Sequence, residues 1–90
     1  MAYYVYILEC ADGTYYTGMT SNLKRRLNQH KNGSNKRAYT YSRRPVTLVW
    51  CEELASRDDA KQREKQIKRG KRRLKNALVQ AKLDNDNCLD

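Results

Sequence analysis

Tyr3-Tyr4-Val5-Tyr6-Ile7-Leu8-Glu9-Cys10, then Ala11-Asp12-Gly13, then Thr14-Tyr15-Tyr16-Thr17-Gly18-Met19-Thr20: the reading of this stretch decides the fold. Two runs of aromatic and β-branched residues flank an Asp-Gly pair, the strongest short-range signal for a β-hairpin. Loop length sets which residues face each other. A two-residue Asp12-Gly13 turn pairs Glu9 with Tyr16. A three-residue loop, Ala11-Asp12-Gly13, is a type I turn with Gly13 in the left-handed conformation of a G1 bulge. That register pairs Leu8 with Tyr16 and Tyr6 with Gly18. A slip of one residue turns every side chain to the other face. The three-residue loop is preferred, because it sets Tyr6 and Tyr16 diagonally on one face, with open space over Gly18 beside the Tyr6 ring. Two phenols converging over a glycine gap have the form of a site.

Beyond the hairpin, Ser21-Asn22 can cap a helix that runs to about Asn32 and stops at Gly33. Leu23 and Leu27 mark its buried stripe, and Arg26 and His30 fall on or beside that stripe. An inward arginine is costly unless it meets an anion, stays hydrated or snorkels to solvent. His30 is the single histidine; it is read as support for the site, with proton transfer as the alternative. Residues 31–45 form a long loop rich in basic and aromatic side chains, and unstructured loops of that length are uncommon unless functional. Tyr39 can stack near the site, while Arg37, Arg43 and Arg44 neutralise phosphates. A short helical turn is compatible with Asn35 to Thr40.

Val46 to Glu52 is almost continuously apolar, so it is expected as a strand that is central or covered on both faces. Ser56 then caps a second helix with Asp58 and Asp59 in its first turn. Ala60, Glu64 and Ile67 recur at the spacing of a buried face. Glu64 thus stands where an apolar residue is expected, and must be paired, neutralised or bound to a metal. A salt bridge to Lys61 or Lys68 is the plain alternative. Gly70 separates a last helix, Lys71 to Leu83, with Leu74, Ala77, Leu78 and Ala81 inward. Arg72 and Arg73 belong to a basic cluster at its start, where positive charge opposes the helix dipole and suits a phosphate partner.

The chain has 90 residues and a net charge of +9. That length makes one domain, assigned to residues 1–83, with 84–90 as an acidic, disordered tail. No stretch is apolar and long enough to cross a bilayer, and the N-terminus lacks a signal-peptide pattern. Cys10, Cys51 and Cys88 are scattered, which argues against a disulfide framework or a zinc site and for the cytoplasm. A domain this basic points to a polyanion, nucleic acid first.

Tyr4-Val5-Tyr6 and Tyr16-Thr17-Gly18 resemble the two signature tripeptides of the GIY-YIG nuclease superfamily, in its small single-domain branch. The first two residues of the leading tripeptide differ, and threonine replaces isoleucine in the second. The resemblance covers about residues 2–83 and implies an α+β fold, a small three-stranded antiparallel sheet flanked by helices in the order ββαβαα. It implies metal-dependent hydrolysis of phosphodiester bonds by a catalytic set of Tyr6, Tyr16, Arg26, His30 and Glu64. Gly18 leaves room for substrate. Arg26 is placed on the scissile phosphate, and Glu64 is the ligand of one divalent ion, Mg²⁺ or Mn²⁺. Which phenol serves as base stays open. Arg37, Tyr39, Arg43, Arg44, Arg72 and Arg73 are expected to bind substrate. The expected partner is nucleic acid, DNA ahead of RNA, met by a monomer; the alternative is a binding module that keeps the fold without cleaving.

Overall fold

The computed structural model describes residues 2–33 and 40–83. Strand β1 (Tyr3–Cys10) turns into β2 (Tyr15–Thr20), helix α1 (Leu23–Asn32) follows, and a 3-10 turn at Tyr41–Arg43 leads to β3 (Val46–Leu54), α2 (Arg57–Arg69) and α3 (Lys71–Leu83). The order is the ββαβαα expected. The three strands form one antiparallel sheet in the order β2-β1-β3.

The hairpin adopts the three-residue loop. The Cys10 amide donates to the Thr14 carbonyl at 2.8 Å, and the Gly13 amide donates to the Cys10 carbonyl at 2.9 Å. Gly13 has φ +83°, which only glycine takes without strain. Asp12 locks the turn from inside, its Oδ1 accepting from the Thr14 amide at 3.1 Å and the Thr14 hydroxyl at 2.6 Å. The register therefore runs Leu8 to Tyr16 and Tyr6 to Gly18.

β1 is the central strand, because it pairs with β2 on one side and β3 on the other, and it has the unbroken buried run Val5 to Leu8. Of the two alternatives for the third strand, central or covered on both faces, the second holds: β3 is an edge whose side chains feed two cores. Tyr6, Leu8, Cys10, Val46 and Cys51 pack with Leu23 and Leu27 of α1 on one face. Val5, Ile7 and Trp50 pack with Ala60 and Ile67 of α2 and Leu78 and Val79 of α3 on the other. A bulge between Ile7 and Leu8 makes Trp50 and Leu48, rather than Trp50 and Val49, the successive partners of β1.

The helix ends follow the sequence closely. The Asn22 side chain accepts from the Arg25 amide, the Ser56 side chain accepts from the Asp59 amide, and Gly33 closes α1 at φ +68°. Gly70 separates α2 from α3 as expected; it is itself helical, a Cβ there would collide with the Leu74 side chain, and Lys71 at the start of α3 is left-handed (φ +61°). Two points differ. Ala77 is exposed and Val79 takes the inward place. Cys51 is disulfide-bonded, against the expectation of scattered, unpaired cysteines, whereas Cys10 is free and buried. Arg37, Tyr39, the helical turn from Asn35 and the acidic tail lie outside the described residues.

Candidate active site

Each strand of the hairpin brings one phenol to the α1 face. Tyr6 is fully buried on β1, and Tyr16 is half-buried on β2, with ring centroids 6.3 Å apart. α1 supplies the third ring. His30 stands 5.9 Å from Tyr6 and 5.2 Å from Tyr16 by centroid, so the three rings close on one another. Gly18 lies across from Tyr6, where a Cβ would stand 2.6 Å from the Tyr6 hydroxyl. No residue but glycine lets the phenol lie there.

His30 is buried and uses both ring nitrogens. Nε2 lies 3.1 Å from the Tyr6 hydroxyl, and Nδ1 lies 2.8 Å from the hydroxyl of Thr40. Burial, helped by the nearby Arg26 charge, holds the imidazole pKa below its ordinary value. The ring is therefore neutral at physiological pH. Thr40, among the most buried residues of the chain, was missed in the sequence. The signal that could have found it is general: a buried histidine needs a partner on each nitrogen.

Charge reaches Tyr6 from two sides. Burial raises its phenol pKa most, the Tyr16 phenol adds to that, the nearby Arg26 opposes, and Glu64 adds a smaller upward push. Arg26 is exposed on α1, which corrects the expected place on the inward edge of the helix.

Glu64 projects from α2, whose apolar residues cover the opposite face of the sheet, yet its charge is felt at Tyr6. Its side chain is 19% exposed, and its carboxylate lies 3.5 Å from the Lys68 ammonium, whose side chain is 55% exposed. The salt bridge weighed as the plain alternative is present. Among the described residues no three His, Cys, Asp or Glu side chains cluster to cage a metal. A lone, half-sheltered carboxylate suits a hard ion that keeps water and takes its other oxygens from a substrate phosphate, as Mg²⁺ does. The exposed Lys68 can swing aside for it. The residues present fit such an ion and would not suit zinc.

Several arginines expected on the substrate have partners within the chain. Arg43 Nε makes an ion pair with Asp12 at 3.2 Å, without the alignment of a hydrogen bond. Arg44 donates to the Tyr41 carbonyl at 2.9 Å and lies over the Tyr41 ring. Arg72 donates to the Gly13 carbonyl at 2.8 Å and stacks on Tyr15, tying α3 to the hairpin turn. Arg73 is exposed. No helix among the described residues is long and apolar enough to cross a membrane.

A family model described as the GIY-YIG catalytic domain matches residues 2–77. A UPF0213 protein of Desulfotalea psychrophila is 46% identical over 80 residues, covering 89% of this chain and 73% of that protein. One from Syntrophus aciditrophicus is 49% identical over 76 residues, covering 84% and 87%. Among solved structures, the solution structure of a UPF0213 protein from Bacillus halodurans matches with a TM-score of 0.60 at 41% identity, covering 91% of this chain and 86% of that one. With a family model matching residues 2–77 and relatives this similar, the chain belongs to the GIY-YIG family, a nuclease-like family, beside the small UPF0213 proteins.

Proposed function

We propose that this protein is an endonuclease that hydrolyses phosphodiester bonds in nucleic acid, DNA first, with the help of one divalent ion. The observation that carries this reading is the Tyr6 phenol. It is buried over Gly18, 3.1 Å from a neutral histidine, with Arg26 and Glu64 as its charged neighbours.

Phosphodiester hydrolysis requires a water made nucleophilic, neutralised charge on phosphorus, and a stabilised leaving oxygen. Arg26, exposed and beside the phenol, donates to the non-bridging oxygens and draws the Tyr6 pKa downward against its burial. Tyr6, once ionised, would take the proton of the attacking water, and Tyr16 would help to orient that water. Gly18 lets the Tyr6 hydroxyl lie against the β2 backbone, in space that any Cβ would take. Glu64 would hold the ion, Mg²⁺ or Mn²⁺, which when bound would supply Lewis-acid stabilisation of the leaving oxygen. Arg73 and the exposed cations of α1 and α2 hold the flanking backbone.

A second reading rests on the Glu64–Lys68 contact. If that pair persists with nucleic acid bound, the site binds and does not cut. Incubation of the purified protein with plasmid, branched DNA and RNA, with and without Mg²⁺ or Mn²⁺, separates the two. Cleavage confined to the metal-containing tubes supports the enzyme; retention without cleavage of any substrate supports the binding module.

A further inference from the structure

We propose that Lys68 and Lys75 form a phosphate site beside Glu64, walled by the fixed charge of Arg72, and that it holds a backbone phosphate flanking the one that is cut. Only the source of that phosphate rests on the nuclease reading. Three cations from two helices meet here. Lys75 follows Arg72 by one turn on α3 and is half-buried. The charges of Lys68, on α2, and of Arg72 reach its ammonium, and both are positive. Burial first, then these two charges, hold its pKa below the ordinary lysine value. Lys68 also stands 3.5 Å from the Glu64 carboxylate, so the cluster adjoins the proposed ion ligand. Arg72 is not free to move away from its neighbours. Its guanidinium lies 4.6 Å from the centre of the Tyr15 ring and donates to the Gly13 carbonyl at 2.8 Å.

This grouping is unfavourable in the protein alone. Like charges repel, and half-burying an ammonium strips part of its hydration. The fold does not call for a cation there, since α3 docks on the sheet through Leu78 and Val79. An anion seated against Lys68 and Lys75 turns each of these costs into an attraction. A phosphate suits the place, because its several oxygens can accept from two lysines at once. It would also compete with Glu64 for Lys68, so that seating the strand frees the carboxylate.

Stability and binding should part company at position 75. Lys75→Met keeps an unbranched apolar stem and removes the charge, whereas Lys75→Arg keeps the charge. Lys75→Met should melt at the wild-type temperature or above it. Its log–log salt slope for duplex DNA binding should be shallower than wild type by about 0.9, and Lys75→Arg should keep the wild-type slope. Inorganic phosphate, titrated against chloride at constant ionic strength, should shift the amide resonances around positions 68 and 75 in wild-type protein. The same titration should leave them in place in Lys75→Met. A lower melting point for Lys75→Met, or its failure to fold, overturns the proposal, because the lysine then serves the fold. An unchanged salt slope overturns it too, as do phosphate shifts retained in Lys75→Met. A wild type that binds duplex through Lys75 and cuts no substrate counts against the nuclease reading and leaves the phosphate site standing.

Discussion

Gly18 faces Tyr6 across the hairpin so closely that a single methyl group at position 18 would stand 2.6 Å from the phenol oxygen and 2.8 Å from the ring carbon that bears it. Tyr6 is fully buried, and the Tyr16 ring would lie 3.1 Å from the same methyl, so neither ring can step aside cheaply. Gly18→Ala should cost about 1–3 kcal/mol of stability through overpacking. It should cost more in activity, because a phenol displaced by about 1 Å loses roughly a hundredfold in rate. Thermal melts beside cleavage assays give both numbers; an alanine variant with wild-type cleavage would mean that Tyr6 is not where the chemistry happens.

Thr17 is buried on the opposite face of the same strand, and among the described residues its hydroxyl has no hydrogen-bond partner. Thr17→Val keeps the shape and removes the unpaired group. Stability should rise by about 1 kcal/mol, with cleavage unchanged. Chemical denaturation measures it. A loss of stability would show that the hydroxyl is satisfied in solution.

Arg72 and Arg73 should separate cleanly. Arg72 bonds the Gly13 carbonyl and covers Tyr15, so Arg72→Ala should lower stability by about 0.5–1.5 kcal/mol. Arg73→Ala should leave the melting point alone and reduce the log–log salt slope of duplex DNA binding by about 0.9 if it neutralises one phosphate. Melts and salt titrations of the two variants check the division. The reverse pattern would exchange their roles.

The His30 imidazole, held below its ordinary pKa of 6.5 by burial and by Arg26, makes the fold sensitive to acid. Below pH 6.5 the unfolded chain takes up a proton that the folded chain still refuses, so stability falls as pH falls until folded His30 titrates. Wild type should therefore lose more stability than His30→Gln between about pH 7.5 and about pH 5.5. Equal losses in denaturant titrations would mean that His30 is not shielded.

Much of this was legible before any coordinates. Asp12-Gly13 announced the turn, and the requirement that Tyr6 and Tyr16 share a face selected its length. Asn22, Ser56 and Gly33 marked helix ends by capping chemistry that acts over three or four residues. What stayed hidden was non-local. The pairing of β1 with β3 spans about forty residues, so nothing in Val46 to Leu54 alone could show that it was an edge. Thr40 reaches His30 from the far end of a loop, and Arg72 finds its acceptor on a backbone carbonyl, which no side-chain pattern displays. Glu64 was legible as an anomaly on a buried face, and the salt bridge offered as its alternative explanation is also there.

Glu64→Gln therefore tests the proposed site most directly. The Glu64–Lys68 pair is largely open to solvent on the lysine side and contributes no more than about 1 kcal/mol, so the variant should fold. It should also keep its affinity for nucleic acid. If Glu64 holds the ion, plasmid nicking in Mg²⁺ should drop by about a thousandfold or more. If the folded variant nicks plasmid in Mg²⁺ as fast as wild type, Glu64 is only the partner of Lys68, and the metal-dependent site proposed around it does not exist.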